Sequence, residues 1–304
     1  MSLSLYTHPA CLQHSNGEGH PESPQRLATI LAALREVPAL EWREAPPATR
    51  TQLARVHAPA LVSQVLDEPV LDSRRLDPDT AMNPHSASAA LRAAGAVCAA
   101  IDASLRGKEP RAFCAVRPPG HHATPTHAMG FCLFNSIAVG AAHALHAHGL
   151  KRVAVIDFDV HHGNGTQDIF WDEPRVLFAS SHQRGIYPYT GAADERGRGN
   201  IINAPLPPGS GGILFRRAWS ERLLPEIDAF KPQLILISAG FDAHRLDPLA
   251  GLMLEADDYG WLTSELVAVA ERHAQGRIVS TLEGGYHLDA LRDSSLAHVR
   301  ALQG

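Results

Sequence analysis

Asp157, Asp159 and His161 fall at alternate positions where the apolar run VAVIDFDVHHGNG (153–165) turns polar. A run this apolar predicts a strand buried on both faces, near the middle of a parallel sheet. Side chains alternate along a strand, so all three residues are expected on one face. Two carboxylates and an imidazole in a buried place repel or go unpaired unless something positive sits among them. A metal ion meets that need; a surface strand end with solvated charges is the alternative. Gly163-Asn164-Gly165 then breaks the strand and brings the backbone close to the spot. Three other polar clusters end apolar runs. In RPPGHH the two prolines cannot continue a ladder, which leaves His121 and His122 at a strand's carboxyl edge. The other two are Asp242 after SAGF and Tyr286 after EGG.

The elements that must position these residues read as alternating strands and helices. Strands are expected at Arg111–Val116, Val153–Asp159, Arg175–Ala179, Gln233–Ser238 and Arg277–Leu282. Helices are expected at Pro84–Leu105, Asn135–His148 and Phe215–Phe230, with another opened by Asp257 and one opened by HPESPQRL at 20–27. Residues 1–27 otherwise look irregular, and 185–200 read as a surface loop. The pattern predicts an α/β fold of three layers, a mostly parallel central sheet with helices on both faces. In such a sheet ligands bind outside the carboxyl ends of the strands, so clusters distant in sequence should converge. No repeat, low-complexity run or linker divides the 304 residues, so one domain over 1–304 is expected.

Composition narrows the function. A net charge of −5, with 27 basic and 32 acidic residues, offers no electrostatic case for nucleic acid. No apolar run reads as a membrane span and no signal pattern opens the chain, so a cytoplasmic location without membrane contact is expected. Cys11, Cys98, Cys114 and Cys132 lack CxxC spacing and read as buried free thiols. With 18 histidines only clustered ones carry weight; His143, His146 and His148 read as structural or solvated. Arg26, at the head of a helix whose dipole disfavours it, reads from spacing alone as exposed.

RPPGHHA (117–123), GFCLFN (130–135), DFDVHHGNGTQ (157–167), SAGFDAHRLDP (238–248) and EGGY (283–286), in this order, resemble the histone deacetylase family of the arginase-deacetylase superfamily. HPESPQRL and DVHHGNGTQ resemble its class II branch and bacterial relatives. The resemblance implies a zinc-dependent amide hydrolase that removes acetyl or other acyl groups from lysine side chains. It implies Asp159, His161 and Asp242 as ligands of one Zn²⁺, with Fe²⁺ also compatible. Three N/O ligands and an open position suit a catalytic ion. His122 is implied as general base and later acid, His121 as an electrostatic partner backed by Asp157, and Tyr286 as donor to the oxyanion. Asn164 stands where the class I branch has aspartate, so His122 should hold its proton less tightly. A potassium site is implied on Asp157 and Ser180, with backbone oxygens of Asp159, His161 and Ser181. Phe131 and Tyr187 match the aromatics of the acyl-lysine tunnel, Gly130 places a carbonyl against the scissile amide, and Arg26 matches a buried channel arginine.

The resemblance also frames the substrate. Acetylpolyamine deacetylases of the family carry an acidic gatekeeper where this chain has Leu249, which favours acyl-lysine in a protein or peptide. Glu255 or another loop carboxylate could substitute for that acid and keeps an acetylpolyamine open. A noncatalytic acyl-lysine binder is the reading outside enzymology, but a binder needs neither the histidine pair nor Tyr286.

Overall fold

The computed structural model describes residues 2–107 and 109–304. Among the described residues the strands are Leu3–Thr7 (β1), Leu40–Glu44 (β2), Arg74–Asp77 (β3), Thr80–Met82 (β4), Arg111–Cys114 (β5), Val153–Asp157 (β6), Val176–Gln183 (β7), Ile201–Leu206 (β8), Leu234–Ala239 (β9) and Ile278–Leu282 (β10). Eight form one sheet in the order β2-β1-β5-β10-β9-β6-β7-β8, and every pairing in it is parallel. β3 and β4 form a separate antiparallel hairpin. Val153–Ile156 and Leu234–Ile237 are fully buried, as strands covered by helices on both faces must be. The fold is α/β, a parallel central sheet with helices around it, as the alternating pattern predicts.

Five adjacent strands, β5-β10-β9-β6-β7, place their carboxyl ends side by side. The polar clusters after Val116, Leu282, Ala239 and Asp157 therefore share one edge, although nearly 170 residues separate the first from the last. Parallel register is what turns scattered motifs into neighbours.

Some local expectations change. The amino terminus is not irregular: Leu3 and Leu5 are fully buried in β1, which lies between β2 and β5. β6 stops at Asp157, because the Asp159 N–H donates to the Asp157 carboxylate (3.2 Å) instead of continuing the ladder. The helical stretch at Phe215–Phe230 is interrupted by a π-helical turn at Trp219–Leu223. Pro225 lacks the N–H that would return to the turn before it. The helix expected from Asp257 runs Ala256–His273, and Glu255 with Asp258 makes its capping box. Helix Ser86–Leu105 is long and apolar enough to cross a membrane by composition alone. Its alanine-rich face instead packs on helix Ser136–Ala147 and on β5 and β1.

All four cysteines are buried and free. Burial pushes the Cys11 and Cys98 thiols up to about 11 and about 12.

His298 is fully buried between the Thr263 and Ser280 hydroxyls (2.7 and 2.9 Å), and burial lowers it to about 3. Its folded value is depressed, so the unfolded chain takes the proton first as pH falls below 6.5. Stability is then lost between pH 6.5 and about 3. Between pH 7 and 4 the wild-type should lose roughly 3 kcal/mol more than His298→Gln. Denaturant titration at the two pH values measures the difference; equal losses would contradict it.

Candidate active site

A cavity of about 230 Å³ opens at the carboxyl edge of the sheet, lined by His121, His122, His161 and Tyr286 together with Phe131, Tyr187 and the partly exposed Leu249. The His161 imidazole Nδ1 lies 3.1 Å from Asp159 Oδ1 and 3.2 Å from Asp242 Oδ2. One ligand atom from each of Asp159, His161 and Asp242 falls within 4.8 Å of the others. Asp159 and His161 reach this point from the loop after β6, not from the strand itself, so alternation along the strand is not what aligns them. Each carboxylate is instead tied to local backbone. Asp242 Oδ1 accepts from the Val160 N–H (2.8 Å), and Asp159 Oδ1 accepts from the His161 N–H (2.9 Å).

The donor set fits a divalent cation. Asp242 Oδ2 is buried without a hydrogen bond, an expensive state for a carboxylate oxygen. Burial and the neighbouring Asp159 charge push the Asp242 carboxyl up. A Cβ on Gly284 would collide with both carboxylates, and one on Gly240 with Asp159, so the glycines leave the space these groups need. Two carboxylates and an imidazole match the N/O chemistry of a catalytic zinc or iron(II) site.

The tandem histidines differ electrically. Burial opposes charge on His121, but Asp157 (2.9 Å) and Asp159 outweigh it and raise its pKa well above normal. His122 moves the other way, lowered by burial and then by the positive His121 and His161. Its Nδ1 lies 2.7 Å from Asn164 Oδ1, while Asn164 Nδ2 faces the Met129 sulfur (3.6 Å). That orientation places the hydrogen on Nδ1 and leaves a lone pair on Nε2. Helix Asn164–Phe170 starts at this asparagine, so the turn after β6 sets the imidazole's tautomer. Burial holds the Tyr286 phenol well above its usual range, and it stays a donor.

Gly130 and Phe131 both have left-handed backbone, at φ 56° and 67°. A Cβ at Gly130 would strike the His122 ring. Phe131 is edge-on to Tyr286 at 5.9 Å and Tyr187 edge-on to His122 at 5.1 Å, so apolar rings bound the cavity. Asp157 and Ser180 sit opposite each other in the β6–β7 register, with Ser181 next along. The Ser181 hydroxyl accepts from the Trp219 indole (3.0 Å).

Arg26 is fully buried, contrary to the expectation from spacing, and it lies behind Tyr286 rather than in the cavity lining. Its guanidinium donates to the Gly285 carbonyl (2.6 Å) and lies 4.8 Å over the Tyr286 ring. Glu22 binds both Arg26 and Arg117, and Arg117 together with His14 overcomes burial to keep it ionised. Sequence reasoning missed Glu283, although it heads the EGGY stretch. Its carboxylate accepts from Gly120 N–H (2.6 Å), His121 N–H (3.2 Å) and the Ser238 hydroxyl (3.0 Å), which fixes the histidine turn. Burial raises it to about 7. Also missed was Asp79, the residue just before β4, which lines the cavity. Glu255 is instead engaged with Arg245 and the helix cap and does not line the cavity.

The profile of the histone deacetylase domain matches residues 20–302. This chain belongs to the histone deacetylase family. A histone deacetylase-like amidohydrolase of Pseudomonas aeruginosa is 42% identical over 94% of the chain and 77% of its own length. A probable deacetylase of Archaeoglobus fulgidus is 38% identical over the whole chain and 87% of its own length. The crystal structure of the HDA15 HD domain superposes with a TM-score of 0.93 at 37% identity, covering 99% of this chain and 88% of that one. These relatives support deacetylase activity for the family member described here.

A second group, Asp102, His143 and His148, also brings its ligand atoms within 4.8 Å. The Arg55 guanidinium lies 2.9 Å from His143 Nδ1 and can only donate, so the ring hydrogen sits on Nε2, facing Asp102 (2.8 Å). A ligand nitrogen needs a free lone pair there. The group is a hydrogen-bonded hub on Asp102 between two helices, in line with the structural or solvated reading of His143 and His148.

Proposed function

We propose that this deacetylase family member hydrolyses the amide of an acylated lysine side chain in a protein or peptide, giving the free amine and a carboxylate. The observation that carries the reading is the convergence of three parts on one apolar-walled cavity: the Asp159–His161–Asp242 ligand group, a neutral His122 and the Tyr286 phenol. Asp159, His161 and Asp242 would hold Zn²⁺ or Fe²⁺, which when bound supplies Lewis acidity to the substrate carbonyl and to water. His122 Nε2, with its lone pair free, takes a proton from the attacking water and delivers it to the leaving amine nitrogen. His121, kept positive by Asp157, remains a fixed charge beside it. Tyr286 donates to the carbonyl oxygen as charge builds there. Phe131 and Tyr187 enclose the lysine stem, and the Gly130 carbonyl accepts from the scissile N–H. Leu249 forms the rim. A structural potassium ion is part of the reading, on Asp157, Ser180 and backbone oxygens of Asp159, His161 and Ser181.

Asp79 favours a second substrate, an acetylpolyamine, because a carboxylate on the cavity lining can pair with a distal ammonium. Its position is fixed by neighbours. Its carbonyl accepts from His20 Nε2 (3.2 Å), and the adjoining Thr80 hydroxyl accepts from Phe131 N–H (2.9 Å). Turnover of an acetyl-lysine peptide and of acetylputrescine, each with and without a chelator, separates the readings. The peptide should be hydrolysed and the chelator should stop it. Asp79→Asn should lower kcat/KM for acetylputrescine by about tenfold or more if the diamine is a true substrate, since a charge-assisted contact is lost. Hydrolysis of neither compound by metal-loaded protein would favour a noncatalytic binder.

A further inference from the structure

Tyr286 sits in a segment with no regular secondary structure, directly after Gly284 and Gly285, the latter at φ 118°. Glycines impose little backbone preference, so the phenol's position must be set by tertiary contacts. The peptide unit between Gly285 and Tyr286 is held at both poles. Its carbonyl accepts from Arg26 Nε (2.6 Å), and its N–H donates to Asp247 Oδ2 (2.7 Å). The other oxygen of the same carboxylate, Oδ1, accepts from the Leu249 N–H (3.0 Å) at the cavity rim. Asp247 is itself buried and anchored, its N–H donating to the His244 carbonyl (2.9 Å).

We infer that Asp247 is a positioning residue: one carboxylate fixes the peptide plane that carries Tyr286 and ties it to Leu249 at the rim. The inference rests on the reading of Tyr286 as oxyanion donor. Rotation of that plane would swing the phenol away from the substrate carbonyl, and Asp247 opposes the rotation from the side Arg26 does not reach. A carboxyl group that accepts from two backbone N–H groups at once, one on each oxygen, holds a definite geometry. An asparagine has a single acceptor oxygen, so it can keep at most one of the two bonds.

The test is a double-mutant cycle of Asp247→Asn with Tyr286→Phe on the metal-loaded enzyme, read with an acetyl-lysine peptide. Asp247→Asn should lower kcat roughly ten- to a hundredfold, change KM by less than about threefold and leave metal content unchanged. On the Tyr286→Phe background it should cost less than about twofold, because its effect runs through the phenol. Losses that multiply, or a loss explained by missing metal, would overturn the inference. Full turnover by Tyr286→Phe alone would instead overturn the oxyanion reading. Hydrogen exchange on the wild-type protein gives a measurement independent of folding in the variants. The Tyr286 amide should be protected like a strand amide despite lying outside any strand, and fast exchange there would refute the clamp.

Discussion

Tyr286→Phe is expected to lower kcat for an acetyl-lysine peptide by about 10²–10³-fold while KM stays within about a factor of two. The phenol is half-buried, protonated and placed on the cavity lining, so its hydrogen bond strengthens only as the carbonyl oxygen gains charge. An interaction made in the transition state and not in the ground state appears in kcat alone. Phenylalanine keeps the ring that Arg26 and Phe131 pack against, so the fold should be undisturbed. Steady-state kinetics and a thermal melt check both parts. A variant with wild-type kcat would remove Tyr286 from the chemistry.

Asp242→Asn should have an effect as large and a sign in stability that runs opposite to intuition. With the ligand group incomplete, elemental analysis should find less than a tenth of the wild-type metal content, and turnover should fall by about a thousandfold or more. In chelated protein, however, the variant should melt at or above the wild-type temperature. Asp242 is fully buried, burial and the neighbouring Asp159 charge push its carboxyl up, and the His161 imidazole 3.2 Å away offsets them only in part. An amide removes that repulsion. Metal-loaded wild-type should melt above both, because an ion that binds only the folded state adds stability in proportion to its affinity. A variant that keeps one tightly held divalent ion and full turnover would dismiss the ligand assignment.

The residues at the strand ends were legible in the sequence because glycine, proline and charge interrupt apolar runs, and the parallel sheet then aligns those interruptions. The reason given for their alignment was only half right. Alternation placed Asp157, Asp159 and His161 on one strand face, whereas β6 ends at Asp157 and the other two are set by carboxylates that capture nearby backbone N–H groups. Side-chain to backbone hydrogen bonds of this sort leave no periodicity to read. Asp79 was missed for a related reason. It stands between two strands of four and three residues, too short for a pattern. β1 showed alternate leucines at positions 3 and 5, but five residues at a chain end look like a tail until the sheet receives them. Glu283 and Asp247 lay inside recognised stretches, yet each acts on backbone amides elsewhere in the chain, 163 and 39 residues away. Only the folded molecule brings those amides within reach.

The silence of the four native thiols has a practical side. Each is sealed in the interior, with Cys11 and Cys98 protonated far above neutral pH, so none competes for an alkylating reagent in the folded state. One cysteine introduced at the strands' amino edge, for instance at exposed Lys151, would be the sole handle for a dye or a surface. Molecules immobilised through it would all face the same way, mouth outward, with their working end open to whatever flows past.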